Sequence, residues 1–345
     1  MIMAQHSGGK GIKAEEALRS YFLGIGYFTV RGVPFNYRSF DVTDVDLWLY
    51  IRSTPLSRER VCVDIKRKKT PQAMERIFWT KGLREVLGIE RAIVVTSDNR
   101  RETRDFGAAN GVTVLQNDFL QRVISAPVPT GRITEEEMFA MFKSPCVTDP
   151  SVVWARWYRS AKARLIEGLD FNTCNTFLID IDLLLKEFLA TSKDSALVAR
   201  LLYLLISYFL ISLDYASRSI VFLEINERKA NLIEGLRYGE GGKQRTEEVV
   251  ETALYLVATT GKADFITGTN IKDEFQKQLN GYPAEVLAEH FAKQESLKHL
   301  FELARTFESQ AFATHLVLPG QCNSEQKAII GLLCDFMGVD RRKVI

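Results

Sequence analysis

The residues of this chain whose types and spacing could do chemistry stand in two short stretches, TDVDLWLY at 43–50 and VCVDIKRKK at 61–69. Successive side chains of a strand point to opposite faces. In the second stretch Val61, Val63 and Ile65 therefore share one face, and Cys62, Asp64 and Lys66 share the other. In the first, Val45, Leu47, Leu49 and Ile51 oppose Asp44, Asp46, Trp48 and Tyr50. The turn-rich segment Arg52–Arg60 predicts a hairpin with its loop centred near Leu56. Asp46 then falls across from Asp64 or Lys66, about 5 Å away if directly opposed and roughly 7 to 8 Å if diagonal. Two carboxylates that close repel each other unless a cation lies between them. Mg²⁺ suits such a place, because it takes one or two carboxylates and keeps several waters. It polarises a phosphoryl group and acidifies a bound water. The Lys66 ammonium would orient that water or offset charge on the phosphate. Such a site would suit phosphodiester hydrolysis, and Arg67, Lys68 and Lys69 would then grip the flanking backbone. The bland alternative is a solvated strand end with a cross-pair worth under ~1 kcal/mol.

The surrounding elements must hold these groups. Ala14, Ala17, Leu18, Tyr21, Phe22 and Ile25 recur at helical spacing, and Gly24 and Gly26 stop the helix. A short strand follows at Tyr27–Val30, then Asp44–Ile51, Val61–Lys66 and a helix from about Pro71 to Leu87. Arg91–Ser97 is a continuous apolar strand of the kind buried on both faces. A helix near Arg101–Asn110 and a strand at Val112–Leu115 complete an α-β-β-β-α-β-α-β order. That order predicts an α/β domain with a mixed sheet flanked by helices. APVPTG at 126–131 reads as a linker, and Thr134 with Glu137 as a capping box opening a new helix. Everything beyond is helical in pattern, including Ser151–Gly168, Thr176–Thr191, Ala196–Ser212, Thr246–Thr259, Ile271–Leu279, Ala284–Arg305 and Glu325–Met337. The chain therefore divides into an α/β domain at 1–128 and an all-α domain at 129–345.

These four stretches resemble the PD-(D/E)xK nuclease superfamily, and within it the Mrr-like restriction endonucleases. The resemblance covers roughly Gly11 to Ile124. GIKAEEALRSYFLGIGY looks like the family's first helix, which implies a supporting glutamate at Glu15, with Glu16 one step away. TDVDLWLY looks like the strand of the metal-binding aspartate, implying Asp46, with Asp44 its rival. VCVDIKRKK looks like the (D/E)xK strand, implying Asp64 and Lys66, with the Ile65 carbonyl as a further metal ligand. RAIVVTSDNRRETRDFGAANGVTVLQ is similar to the closing strand-helix-strand. Three departures stand out: no proline precedes Asp46, Asp64 replaces the commoner glutamate, and FWTKG at 78–82 carries no glutamine where many relatives have one. Trp79 or Lys81 takes that place, with Lys81 a candidate nucleic-acid contact. The resemblance implies a restriction-endonuclease-like fold and an endonuclease using Mg²⁺ or Mn²⁺ on double-stranded DNA, with defence against foreign DNA as a setting.

Composition narrows the alternatives. The 345 residues are 46% hydrophobic, enough for about two globular domains. A net charge of +2 excludes a global electrostatic argument for nucleic acid and leaves only a local one. Five scattered cysteines without a CxxC pair argue against zinc and disulfides and predict reduced thiols in the cytoplasm. The apolar run Leu201–Leu213 is shorter than the roughly 20 residues of a bilayer span and predicts a core helix rather than a membrane protein. In VWARWYRSAKAR, Trp154, Tyr158, Ala161 and Leu165 form one helical stripe, a core face rather than a single-strand-binding platform. One such active site cuts one strand, so double-strand cleavage calls for a homo-oligomer or a partner subunit, arranged through the helical domain. The competing function class is a nuclease-like module that binds DNA or protein without cutting, with the helical domain as sensor or scaffold.

Overall fold

A computed structural model describes residues 10–38, 40–66, 72–127, 130–143, 145–191, 195–259 and 265–345. The alternating stretches of the N-terminal third pair into one five-stranded sheet with its strands in chain order. β1 (Phe28–Tyr37), β2 (Phe40–Arg52) and β3 (Arg58–Lys66) form an antiparallel meander. β4 (Arg91–Thr96) runs parallel to β3, and β5 (Val112–Leu115) parallel to β4. The sheet is thus mixed, as the element order predicts. Its flanking helices are α1 (Lys10–Gly24), α2 (Ala73–Leu87), α3 (Arg101–Ala109) and α4 (Asn117–Ser125).

Alternation decides which face each helix covers. Leu47, Leu49, Val61, Val63, Ile65 and Val95 pack with Ala14, Leu18 and Phe22 of α1 and with Leu120 and Val123 of α4. The even-numbered residues of β2 and β3 face the other way, where α2 packs on β3 and β4 and α3 on β5. Gly107 of α3 permits that approach: a Cβ there would lie 2.9 Å from the Val112 carbonyl oxygen.

Two features of this sheet escape the sequence pattern. β1 is far longer than Tyr27–Val30 and runs through Gly32 and Pro34, residues that read as breakers. Pro34 is tolerated because β1 is an edge strand, where a missing N–H breaks no ladder, and Gly32 adopts a φ of 56° that glycine takes without a Cβ penalty. The nine-residue α4, absent from the predicted order, closes the core over α1.

Two compact units divide the chain. The first extends through Gly168 and takes back Phe312–Leu316; the second holds Leu169–Ala311 and Val317–Ile345. The division expected at residue 128 thus falls after Gly168. The reason is α5 (Glu135–Phe139) and α6 (Trp154–Glu167), which belong to the first unit. The Thr134–Glu137 capping box forms as the sequence predicts. Trp154, Tyr158, Ala161 and Leu165 are buried, the core face their spacing implies. Within this unit Ile133 donates its N–H to the Phe312 carbonyl at 2.7 Å, and Thr314 donates to the Gly131 carbonyl at 2.9 Å.

The second unit is helical. α7 (Phe171–Ala190) is capped by the Asp170 side chain and packs against α8 (Ser195–Ala216). From Ala196 to Ser219 the chain is long and apolar enough to span a bilayer, yet 94% of its most apolar window is buried inside the protein, which makes α8 a core helix. The remaining helices are α9 (Ile225–Tyr238), α10 (Gly242–Thr259), α11 (Phe265–Gly281), α12 (Ala284–Phe291), α13 (Gln294–Phe312) and α14 (Ser324–Met337). The single helix expected over Ala284–Arg305 is broken in two. At the break, the buried Arg228 of α9 donates its Nε–H to the Ala292 carbonyl at 2.8 Å, satisfying it outside a continuous helix.

Candidate metal centre

The β2–β3 ladder runs from Arg52↔Arg58 to Leu47↔Val63. Its pairing centre is Pro55, one residue from the expected Leu56, which makes Asp46 and Asp64 the next pair in register. There β2 leaves β3 and continues on β1 alone, while β3 continues on β4 to Lys66↔Thr96. The acids therefore stand where the sheet forks. Instead of a backbone carbonyl of β2, the Asp46 side chain accepts the Ile65 N–H, through Oδ2 at 2.6 Å.

The fork is electrostatically crowded. Burial and the neighbouring Asp64 push the Asp46 carboxyl up to about 7, and Glu15 adds to the rise. The Ile65 N–H and Lys66 pull against it without cancelling it. Asp64, Lys66 and Glu15 thus each lie within electrostatic reach of Asp46.

They do not form a ready-made three-acid shell. Among the described residues no set of three His, Cys, Asp or Glu side chains is arranged to hold a metal ion. Two contacts explain this. Glu15 sits on α1, over the opposite face from Asp64, and its carboxylate lies 4.0 Å from Arg31 of β1. Asp64, which is buried, receives both arms of a guanidinium: Arg76 Nε donates to Oδ2 at 2.8 Å and Nη2 donates to Oδ1. A two-carboxylate Mg²⁺ or Mn²⁺ site remains compatible with this chemistry. Mg²⁺ needs only one or two carboxylates, and a cation beside Asp46 would favour the ionised carboxyl against the burial and the Asp64 charge that raise it. Asp46, Asp64 and the Ile65 carbonyl are the groups that would hold it.

No family model, no curated protein and no solved structure matches the chain.

Asp44, the rival of Asp46, has another partner: Arg159 of α6 donates to its Oδ1 at 2.9 Å and to Asp41 at 3.2 Å. Glu16, the rival of Glu15, pairs with Arg19 and Arg31, both at 3.4 Å. Lys81 is turned to Asn110, donating to its Oδ1 at 3.2 Å. Arg67, Lys68 and Lys69 lie outside the described residues.

Three residues matter here that the sequence pattern did not mark. Arg76 engages Asp64. Arg31, buried on β1, collects Glu15, Glu16, Glu135 and Glu136. Lys162 of α6, also buried, donates to the Arg31 carbonyl at 2.7 Å and to Glu135 at 2.6 Å, and Tyr158 donates to the same Glu135 oxygen at 3.0 Å. This buried polar cluster fastens α5 and α6 to β1 and α1, and so fixes the helix that carries Glu15. The one available signal was a lysine on the apolar stripe of α6, between Tyr158 and Leu165.

Proposed function

We propose that the first unit is a metal-dependent endonuclease of the restriction-endonuclease-like, Mrr-like kind, hydrolysing phosphodiester bonds in double-stranded DNA. The observation that carries this reading is the side-by-side placement of Asp46 and Asp64 at the sheet fork, with the Asp46 carboxyl pushed up to about 7 by burial and its acidic neighbour. Lys66, two residues along β3 on the face of Asp64, supports it, as does the α-β-β-β-α-β-α-β order of the elements.

When bound, Mg²⁺ or Mn²⁺ supplies Lewis-acid polarisation of the phosphate and a more acidic water. The chain's own groups do the rest. Asp46 and Asp64 fix the position of the cation against the sheet. Lys66 holds the attacking water or steadies the growing charge on phosphate oxygens. Glu15, held by Arg31, supports the outer shell. A homo-oligomer, or a partner subunit held through the helical region, would bring a second such site to the opposite strand. Five free, buried cysteines agree with a cytoplasmic setting, and defence against foreign DNA is the role this class suggests.

The test is incubation of the full chain with supercoiled plasmid, linear duplex and RNA, each with Mg²⁺, Mn²⁺ or chelator. Nicking or linearisation that needs metal and is lost in Asp46→Asn, Asp64→Asn and Lys66→Ala is expected. Cleavage unchanged in all three variants would remove the assignment.

A second reading is favoured by one observation, the bidentate grip of Arg76 on Asp64. A nuclease-like module whose acid is permanently neutralised by an arginine would bind nucleic acid or protein without cutting. Chelator-insensitive DNA binding with no cleavage under any metal is its signature.

A further inference from the structure

Arg76 lies in the first turn of α2, and its guanidinium takes both oxygens of Asp64. A divalent cation bound by Asp64 and its neighbour Asp46 would have to share or take over those Asp64 oxygens. Arg76 is not sealed in: its side chain is 24% exposed, against 10% for Asp64. A second perch is within reach, because the guanidinium carbon lies 5.6 Å from the ring centre of Trp79, one helical turn on and 45% exposed. A planar guanidinium fork fits a phosphate as well as a carboxylate. An arginine and a divalent cation on one carboxylate would repel each other, and the cation can bind both acids of the fork where the arginine binds only Asp64.

Resting on the endonuclease reading above, we propose that Arg76 is a displaceable latch: it holds Asp64 in the metal-free protein, gives way to the divalent cation, and then binds a phosphate of the nucleic acid. Metal and arginine compete for Asp64, and metal binding is what frees the arginine for the substrate. In this scheme Arg76 positions Asp64 before metal arrives and contacts the substrate afterwards. No covalent step is involved.

Calorimetric titration of the full-length protein with Mn²⁺ alone, without nucleic acid, separates this proposal from the reading it rests on. Arg76→Ala should bind Mn²⁺ more tightly than the wild type by roughly tenfold or more, the scale of a lost charge-assisted competitor. Arg76→Lys, which keeps the charge but loses the fork, should fall between them. If Arg76→Ala is unstable in chelator, Arg76→Lys carries the comparison, and Mn²⁺ should raise the melting temperature of both variants more than that of the wild type. Affinity for a DNA duplex, measured with Ca²⁺ to prevent cutting, should drop several-fold in Arg76→Ala, by a similar argument. Equal or weaker Mn²⁺ binding in both Arg76 variants, with binding lost in Asp64→Asn, overturns the latch and leaves the metal site standing. Tighter Mn²⁺ binding with unchanged duplex affinity overturns the transfer to phosphate. Mn²⁺ binding that is absent from the wild type and both Arg76 variants, or indifferent to Asp46→Asn and Asp64→Asn, overturns the metal reading itself.

Discussion

The Asp46 carboxylate accepts the Ile65 backbone N–H at 2.6 Å, tying the end of the β2–β3 ladder to a group that burial and Asp64 push up to about 7. An ordinary Asp in the unfolded chain titrates near ~3.9. Between those values the folded protein holds a proton that the unfolded chain has released. In chelator, stability should therefore fall as pH rises from about 4 through about 7. Asp46→Asn keeps an acceptor for Ile65 and removes the charge. Urea unfolding should show the variant more stable than wild type by on the order of 2–4 kcal/mol at pH 8, with the gap closing towards pH 4. A gap that does not change with pH would contradict this account.

Lys66 faces the same fork, and its charge lowers the Asp46 carboxyl. Lys66→Ala should reduce metal-dependent cleavage by about a hundredfold or more, the usual loss when a preorganised charge is removed from a transition state. Its melting temperature should stay close to that of the wild type, because the side chain is only half-buried. Single-turnover cleavage and differential scanning fluorimetry on the same preparation separate the two effects.

The Glu135 cluster is structural. Burial pushes the Glu135 carboxyl up, but Lys162, Arg19 and Arg31 together hold it below the usual carboxylate range. Glu135→Gln leaves buried cations short of a counter-charge and should cost roughly 3–5 kcal/mol. The same pairing is stability present above the unfolded Glu value of about 4.3 and lost as pH falls further. Acid unfolding of the wild type near pH 4 should therefore be steep, and shallower in the variant.

Gly107→Ala places a methyl against the Val112 carbonyl, 2.9 Å away, and against the Val114 side chain. α3 must move off β5 to admit it. A loss of about 1–3 kcal/mol in denaturant unfolding is expected. Gly82→Ala, where a Cβ would meet nothing within 4 Å, is the matched control and should be neutral or slightly stabilising.

Much of this protein is written locally. Strict alternation in DVDLWLYI and VCVDIK set the parity of Asp46, Asp64 and Lys66, because a period of two leaves no choice of face. The hairpin loop length set the register to within one residue. Three- and four-residue apolar spacing marked α1, α2 and most of the helices beyond residue 150. Other features depend on residues far apart in the chain, and no local pattern encodes them. The extension of β1 through Pro34 depends on its place at the sheet edge. The Ala292 carbonyl at the helix break is met by Arg228, which is 64 residues away. The arrangement at the acids was likewise decided only in three dimensions. The sequence put two carboxylates and an amine on one face, but the fork between β2 and β3, Arg31 drawing on Glu15 and Arg76 closing over Asp64 are long-range events. A strand's period fixes where a side chain points; which charge meets it there is fixed by the packing of helices against the sheet.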